Sequence, residues 1–188
     1  MCKIQMIFSK LEIEGAWLIQ HEPKGDERGD LRRTFDKKEF QNHDIEHEVD
    51  HGLISRNPLK HTLRGFHYQL TPFLEAKTIS CNEGSIYDVI VDLRINSETF
   101  CKWIAVELKS DSNESLHIPK GCANAWLTTS EQTVVHYYMS TAYSSKHARG
   151  FKFNDKTFAV TWPNDPEVVS DKDKSWENFD KKVDGIEL

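Results

Sequence analysis

Short apolar or alternating runs, each broken by turn chemistry, dominate this chain. "GAWLIQHEP", "HGLISRN", "AKTISC", "GSIYDVIVDLR", "CKWIAVELK", "ESLHIPKG", "NAWLTT", "QTVVHYYMS" and "FAVTWP" carry the β-branched and aromatic content and the period-two alternation expected of strands. "KGDERGD", "NEGS", "SDSN" and "PNDP" supply the Gly, Pro, Asn and Asp that turns between them need. "DKKEFQNH" predicts a helix, and "DKDKSWENFDKK" either a short helix or a loose end. Strands so numerous and short predict an all-β jelly roll, whose interior is a natural small-molecule cavity. No repeat, low-complexity block or linker divides the chain, and 188 residues suit one domain over 1–188, with a charged tail from about residue 174.

Composition narrows the partners. The net charge of −6 provides no broad basic field for nucleic acid or an anionic membrane. An anionic ligand must therefore be gripped by a local cluster of Arg and Lys. Four cysteines, Cys2, Cys81, Cys101 and Cys122, stand far apart without a C-x-x-C pair, which predicts reduced thiols in a cytoplasmic protein. "MCKIQMIFSKLEIEGAW" has neither a long apolar run nor a small-residue cleavage site, so no signal peptide or membrane span is expected.

Two motifs bear on chemistry. "HEVDH", residues 47–51, matches a zinc-protease pattern that works only on a helix, where its two histidines share one face. Here Gly52 and the strand-like "LISRN" follow at once, and the surroundings are polar on all sides, so a solvated segment is expected. "RGFHYQLTPFLEAK", residues 64–77, gathers Arg64, His67, Glu75 and Lys77 in an otherwise apolar or turn-forming stretch, where Val or Leu would cost far less to bury.

A metal cage, an anion cradle, or a base with an electrophile would each use such groups. The metal reading lacks ligands: "HYQ" places Gln69 where a second histidine is wanted, and "IPKGCANAW" offers Asn124 at the fourth position. A histidine facing inward can instead be a general base if a carboxylate holds its other nitrogen. Lys77 can steady a developing oxyanion, while Arg28, Arg64 and Lys172 can grip phosphates. Taken singly, His67 reads as a satisfied core histidine and the arginines as surface charge; together they point to proton chemistry. In a regular strand Arg64 and His67 face opposite ways, so sharing one pocket requires a bend, which Gly65 permits.

"GDERGDLRRTF", "TLRGFHYQ", "PFLEAK", "IYDVIVDLR", "LHIPKGCANAW", "HYYMSTAY", "FNDKTFAVTWP" and "VSDKD", in that order, resemble the segments of the dTDP-4-dehydrorhamnose 3,5-epimerase family of nucleotide-sugar enzymes, over about Gly25 to Asp173. The resemblance implies a cupin-type jelly roll, a homodimer, no metal and no organic cofactor. It implies His67 as catalytic base, Asp173 as its paired carboxylate, Tyr137 as general acid with Tyr138 turned away, and Lys77 beside the substrate's keto oxygen. It further implies Arg28 and Arg64 as phosphate and sugar contacts, Lys172 as another contact and Tyr143 as the aromatic under the base. Gln69 and Asn124 are read as substrate contacts also. The expected activity is inversion at C3, C5 or both of a nucleoside-diphosphate 4-keto-6-deoxy sugar. The alternatives are a single-centre epimerase or ketoisomerase on a related CDP- or GDP-linked sugar, and a cupin that only binds its ligand. Departures bear on the choice: "ANAW" replaces the family's usual "AHGF", Arg33 stands in place of a glutamate, and Ala148 in place of another.

Overall fold

The computed structural model describes residues 5–188, so Cys2 lies outside the described residues. β1 (Met6–Lys10) and β2 (Trp17–His21) lead to a hairpin of β3 (Lys24–Asp26) and β4 (Gly29–Leu31), then to helix α1 (Lys37–Asn42). β5 (His51–Asn57), β6 (Thr62–Gln69), β7 (Lys77–Glu83) and β8 (Ser85–Asp92) follow. Next come β9 (Trp103–Lys109), β10 (Glu114–Ile118), β11 (Cys122–Thr128) and β12 (Thr133–Met139). The last elements are β13 (Ala148–Gly150), β14 (Val168–Val169) and helix α2 (Asp171–Ser175). Both helices are opened by side-chain caps: Asp36 accepts from the Lys38 and Glu39 amides, and Ser170 Oγ from the Asp173 amide.

One sheet runs β1-β2-β10-β7-β12-β5 and the other β13-β6-β11-β8-β9, with β14 added in parallel to β6. Sequence neighbours such as β6 and β7, or β10 and β11, fall in different sheets, which is the weave of a cupin-type jelly roll. Between the sheets lies an apolar core that includes Ile79, Ile86, Ile90, Leu116, Trp126 and Val135. The other face of the second sheet is covered as well: Val89, Val91, Ala123 and Ala125 pack against Phe151, Phe158, Phe179 and Ile186 from the last quarter of the chain. Burial on both faces explains why β8 reads as a nearly continuous apolar run. It also gives the charged stretch after Lys174 two apolar anchors, Phe179 and Ile186.

Two local expectations change. "FAVTWP" is not a strand. Phe158 packs into the outer cluster and Trp162 Nε1 donates to the Phe153 carbonyl at 3.0 Å, so side-chain anchoring replaces a ladder. "KGDERGD" is more than a turn, since its ends pair as the exposed β3–β4 hairpin.

The bend expected at Gly65 is present. Against β11, His67 pairs with Asn124 but Arg64 pairs with Trp126, so three steps on β6 oppose two on β11. Gly65 has φ +118, and a Cβ there would lie 2.5 Å from Ala125 Cβ and 2.6 Å from the Asn124 carbonyl oxygen. On its other edge β6 is paired by β13 at His67–Gln69 and by β14 at Thr62–Leu63, which leaves a gap between them. The first turn of α2 enters that gap: Asp173 Oδ2 accepts from the Gly65 amide at 3.5 Å.

Candidate active site

A cavity of about 280 Å³ opens between the sheets at this bend. From the second sheet, β6 contributes Arg64, His67 and Gln69, and β11 contributes Asn124 and Trp126. From the first sheet come Lys77 on β7, Tyr137 on β12 and Leu53 on β5. Tyr143, Ala148, Lys172 and Trp176 close the mouth.

His67 Nε2 meets Asp173 Oδ1 at 2.6 Å, and the Asp173 side chain is almost fully buried. Burial disfavours the charge on Asp173. The His67 hydrogen bond and charge, the Gly65 amide and the Ser170 hydroxyl outweigh burial and hold the carboxyl below its ordinary pKa. An ionised Asp173 can only accept, so Nε2 carries the hydrogen and the Nδ1 lone pair is left free to act as a base. On the opposite sheet, Tyr137 faces inward. Its pKa is raised by burial, with the Arg64 charge opposing and Glu75 adding, so the phenol keeps its proton at neutral pH. Tyr138 lies on the other face of β12, its hydroxyl 3.0 Å from Thr34 Oγ1.

Lys77 is fixed deep in the cavity. Its ammonium reaches Glu75 Oε1 at 3.0 Å, Asn124 Oδ1 at 2.8 Å and the His67 carbonyl at 3.3 Å. Three acceptors match the three N–H donors, so an incoming anion must displace one of them. Gln69 is likewise committed: Nε2 donates to Glu75 Oε2 at 2.8 Å, and Oε1 accepts from the Ser144 amide at 2.7 Å. It steadies Glu75, and through Glu75 the lysine. Arg64 donates from Nε to Asn57 Oδ1 at 3.0 Å and lies over the Trp126 ring at 5.7 Å.

Most of the residues singled out in the sequence therefore converge: His67, Asp173, Tyr137, Lys77, Arg64, Gln69, Asn124, Tyr143 and Lys172. Arg28 does not join them. It stands on the β3–β4 hairpin, 83% exposed at the side chain, with its guanidinium paired to Asp26. Arg33 pairs with Asp36 away from the cavity, and Ala148 lines it. The sequence reading passed over Trp176 as a wall and Asp88 behind the Trp126 wall. Asp88 was legible in principle, as a charged residue in phase with Ile86 and Ile90 on a strand. The "HEVDH" stretch is not helical, and His51 already belongs to β5. Among the described residues, no group of three His, Cys, Asp or Glu side chains is placed to hold a metal ion. Also among them, no helix is long and apolar enough to cross a membrane.

A jelly roll with a histidine held by a buried carboxylate on one wall, a protonated tyrosine on the other and a fixed ammonium between is a cupin-type enzyme equipped for acid–base chemistry. Residues 10–181 match the family model described as dTDP-4-dehydrorhamnose 3,5-epimerase. A relative of that name from Sinorhizobium fredii is 35% identical over 91% of this chain and 88% of its own length. The crystal structure of dTDP-4-dehydrorhamnose 3,5-epimerase from Bacillus anthracis with TDP and pyrophosphate bound superposes with a TM-score of 0.89, at 33% identity, covering 93% of this chain and all of that one. The dTDP-6-deoxy-D-glucose-3,5-epimerase of Legionella pneumophila, in complex with dTDP-4-keto-L-rhamnose, gives a TM-score of 0.88 at 28% identity, covering 95% and 94%. The chain belongs to the dTDP-4-dehydrorhamnose 3,5-epimerase family.

Proposed function

We propose that this protein inverts C3, C5 or both of a dTDP-linked 4-keto-6-deoxy sugar by enolisation. The observation that carries the reading is the His67–Asp173 pair at 2.6 Å facing Tyr137 across one cavity. A C4 ketone acidifies the hydrogens on C3 and C5. His67 Nδ1 takes one of them, and the Asp173 carboxylate stabilises the imidazolium that forms. The electrons move into the C4 oxygen as an enolate, which Lys77 stabilises by exchanging one of its three acceptors for it. Tyr137 then delivers its proton to the opposite face of the carbon, which inverts the centre. Arg64 and Lys172 provide the local cationic grip for a diphosphate that the net charge of −6 does not provide. Tyr143, well exposed at the mouth, offers a ring to the nucleotide base. Every step is carried by side chains of the chain, with no metal or organic cofactor invoked.

The same reading takes the working unit to be a cytoplasmic homodimer. Support comes from exposed Leu53 and Ile54 on the edge strand β5 and Leu31 on the hairpin, and from the unpaired Cys81, Cys101 and Cys122. The decisive experiment is incubation in deuterated water with dTDP-, CDP- and GDP-linked 4-keto-6-deoxyhexoses, followed by NMR. Deuterium at C3 and C5 with inverted product from the dTDP sugar is the expected result. Exchange at one carbon alone would establish a single-centre epimerase, and tight binding without exchange would overturn the enzymatic reading.

A further inference from the structure

Asp88 is a buried ionisable group that the enolisation scheme leaves unused. It sits mid-strand on β8, in phase with Ile86 and Ile90, and is fully buried. Neither of its carboxyl oxygens makes a well-formed hydrogen bond. An ionised carboxylate so placed is very costly, whereas the uncharged acid is far less so.

Its neighbours show what that acid touches. Across the ladders Asp88 stands opposite Trp126 on β11 and Val106 on β9. Diagonal to it on the same face of β11 is Asn124, whose amide acts to lower its pKa, as does the charge of Lys77 on β7. The charged or titratable groups around the cavity beyond Asn124 and Trp126 include Glu75, Arg64, His67 with Asp173, Tyr137, Lys172 and Arg149. Burial dominates and pushes the Asp88 carboxyl up to about 8.

The orientation of Asn124 follows from its partner. Lys77 Nζ can only donate, so the atom it meets at 2.8 Å is the carboxamide oxygen. The amide nitrogen, which is donor only, is left for the Asp88 side. Glu75 already neutralises Lys77 from the other direction at 3.0 Å. A second anion below Asn124 would compete with an enolate for the same ammonium.

We propose that Asp88 is a positioning residue: as an uncharged acid it accepts the Asn124 amide N–H, fixes the carboxamide oxygen on Lys77, and leaves the lysine's charge available to the enolate. The catalytic half of this role rests on the enolisation reading above.

The test has two arms, and the first needs no substrate. Carboxyl-labelled aspartate NMR, with Asp88→Asn to assign the signal, should show Asp88 still protonated at about pH 7, and the Asn124 side-chain amide resonances should shift in step as it ionises. An Asp88 carboxylate already ionised at about pH 6, or an Asn124 amide indifferent to it, would overturn the proposal.

In the second arm, wild-type deuterium wash-in should fall roughly tenfold as Asp88 ionises between about pH 7 and about pH 9. Asp88→Asn, uncharged throughout and still able to accept the N–H, should remove that alkaline fall. Asp88→Leu, which cannot accept it, should lose roughly ten- to a hundredfold in kcat at neutral pH with KM little changed. An alkaline fall as steep in Asp88→Asn as in the wild type would refute the role. Absence of wash-in from every 4-keto nucleotide sugar would overturn the enolisation reading and this catalytic role with it. The NMR arm would still decide the state of Asp88.

Discussion

Replacing Asp173 with asparagine keeps the side-chain volume but deletes one negative charge 2.6 Å from His67 Nε2. In the wild type, proton transfer to Nδ1 creates an imidazolium next to a carboxylate; in the variant it creates one next to a neutral amide. At about 4 Å between charge centres and an effective dielectric near 20, that pair contributes roughly 4 kcal/mol. The His67 side chain is 41% exposed, and solvent screening reduces the figure to about 3 kcal/mol. The interaction exists only once the proton has moved, so its loss raises the barrier rather than weakening binding. About 3 kcal/mol corresponds to roughly a hundredfold in rate. That is a floor, because an amide turned nitrogen-first would donate to Nε2 and place the remaining hydrogen on Nδ1, blocking the base. The assay is deuterium wash-in into a saturating 4-keto nucleotide sugar, with thermal melting to check the fold. The expected result for Asp173→Asn is a kcat lower by about a hundredfold or more with KM within about threefold. Wash-in within about threefold of wild type, or a raised KM with kcat preserved, would refute the reasoning.

Three further outcomes are expected. Tyr137→Phe should still bind substrate and wash deuterium into it, because His67 can return an exchanged proton to the original face, while inverted product falls much further; Tyr138→Phe, on the opposite face, should be nearly silent. Gly65→Ala should lower stability by more than about 2 kcal/mol in a denaturant titration, since its Cβ would meet Ala125 and the Asn124 carbonyl at 2.5–2.6 Å in a backbone conformation of φ +118. Acid should destabilise the fold between about pH 6.5 and pH 4, because burial lowers His21 and His117 to about 4; a lowered histidine contributes stability that is present above the unfolded value and lost as pH falls through the folded one. Asp173, also lowered, acts in the same direction at lower pH. Each histidine is worth on the order of 3 kcal/mol, so the melting temperature should drop over that range, and His117→Asn should flatten the drop.

What the sequence determined by itself is what a strand carries locally. Period-two alternation is a property of the backbone, so the runs around β5, β7, β8 and β12 declared themselves as strands. The same rule put Tyr137 and Tyr138 on opposite faces, and the family resemblance chose Tyr137 as the inward one; it shares its face with Val135 and Met139. A glycine between Arg64 and His67 marked where a strand could bend. Turn residues marked the strand ends, and the helix signal of "DKKEFQNH" needed only its own cap and one buried phenylalanine. Family resemblance added the pairing of His67 with Asp173, which no local pattern contains.

Other features were settled only in three dimensions. His67 and Asp173 are 106 residues apart, and they meet because β13 and β14 leave a gap on β6 that the first turn of α2 enters. "FAVTWP" has strand composition but finds no ladder, since its aromatic side chains are claimed by the outer cluster. Gln69 reads as a free polar group until Glu75, Ser144 and the Ala142 carbonyl occupy its amide. Asp88 looks like one charge in an apolar run until both sheet faces are covered and water is excluded from it. The physical reason is the same in each case. Alternation and turn chemistry act over a few residues of backbone, whereas charge state, hydrogen-bond partners and exposure depend on which distant strands the fold brings alongside.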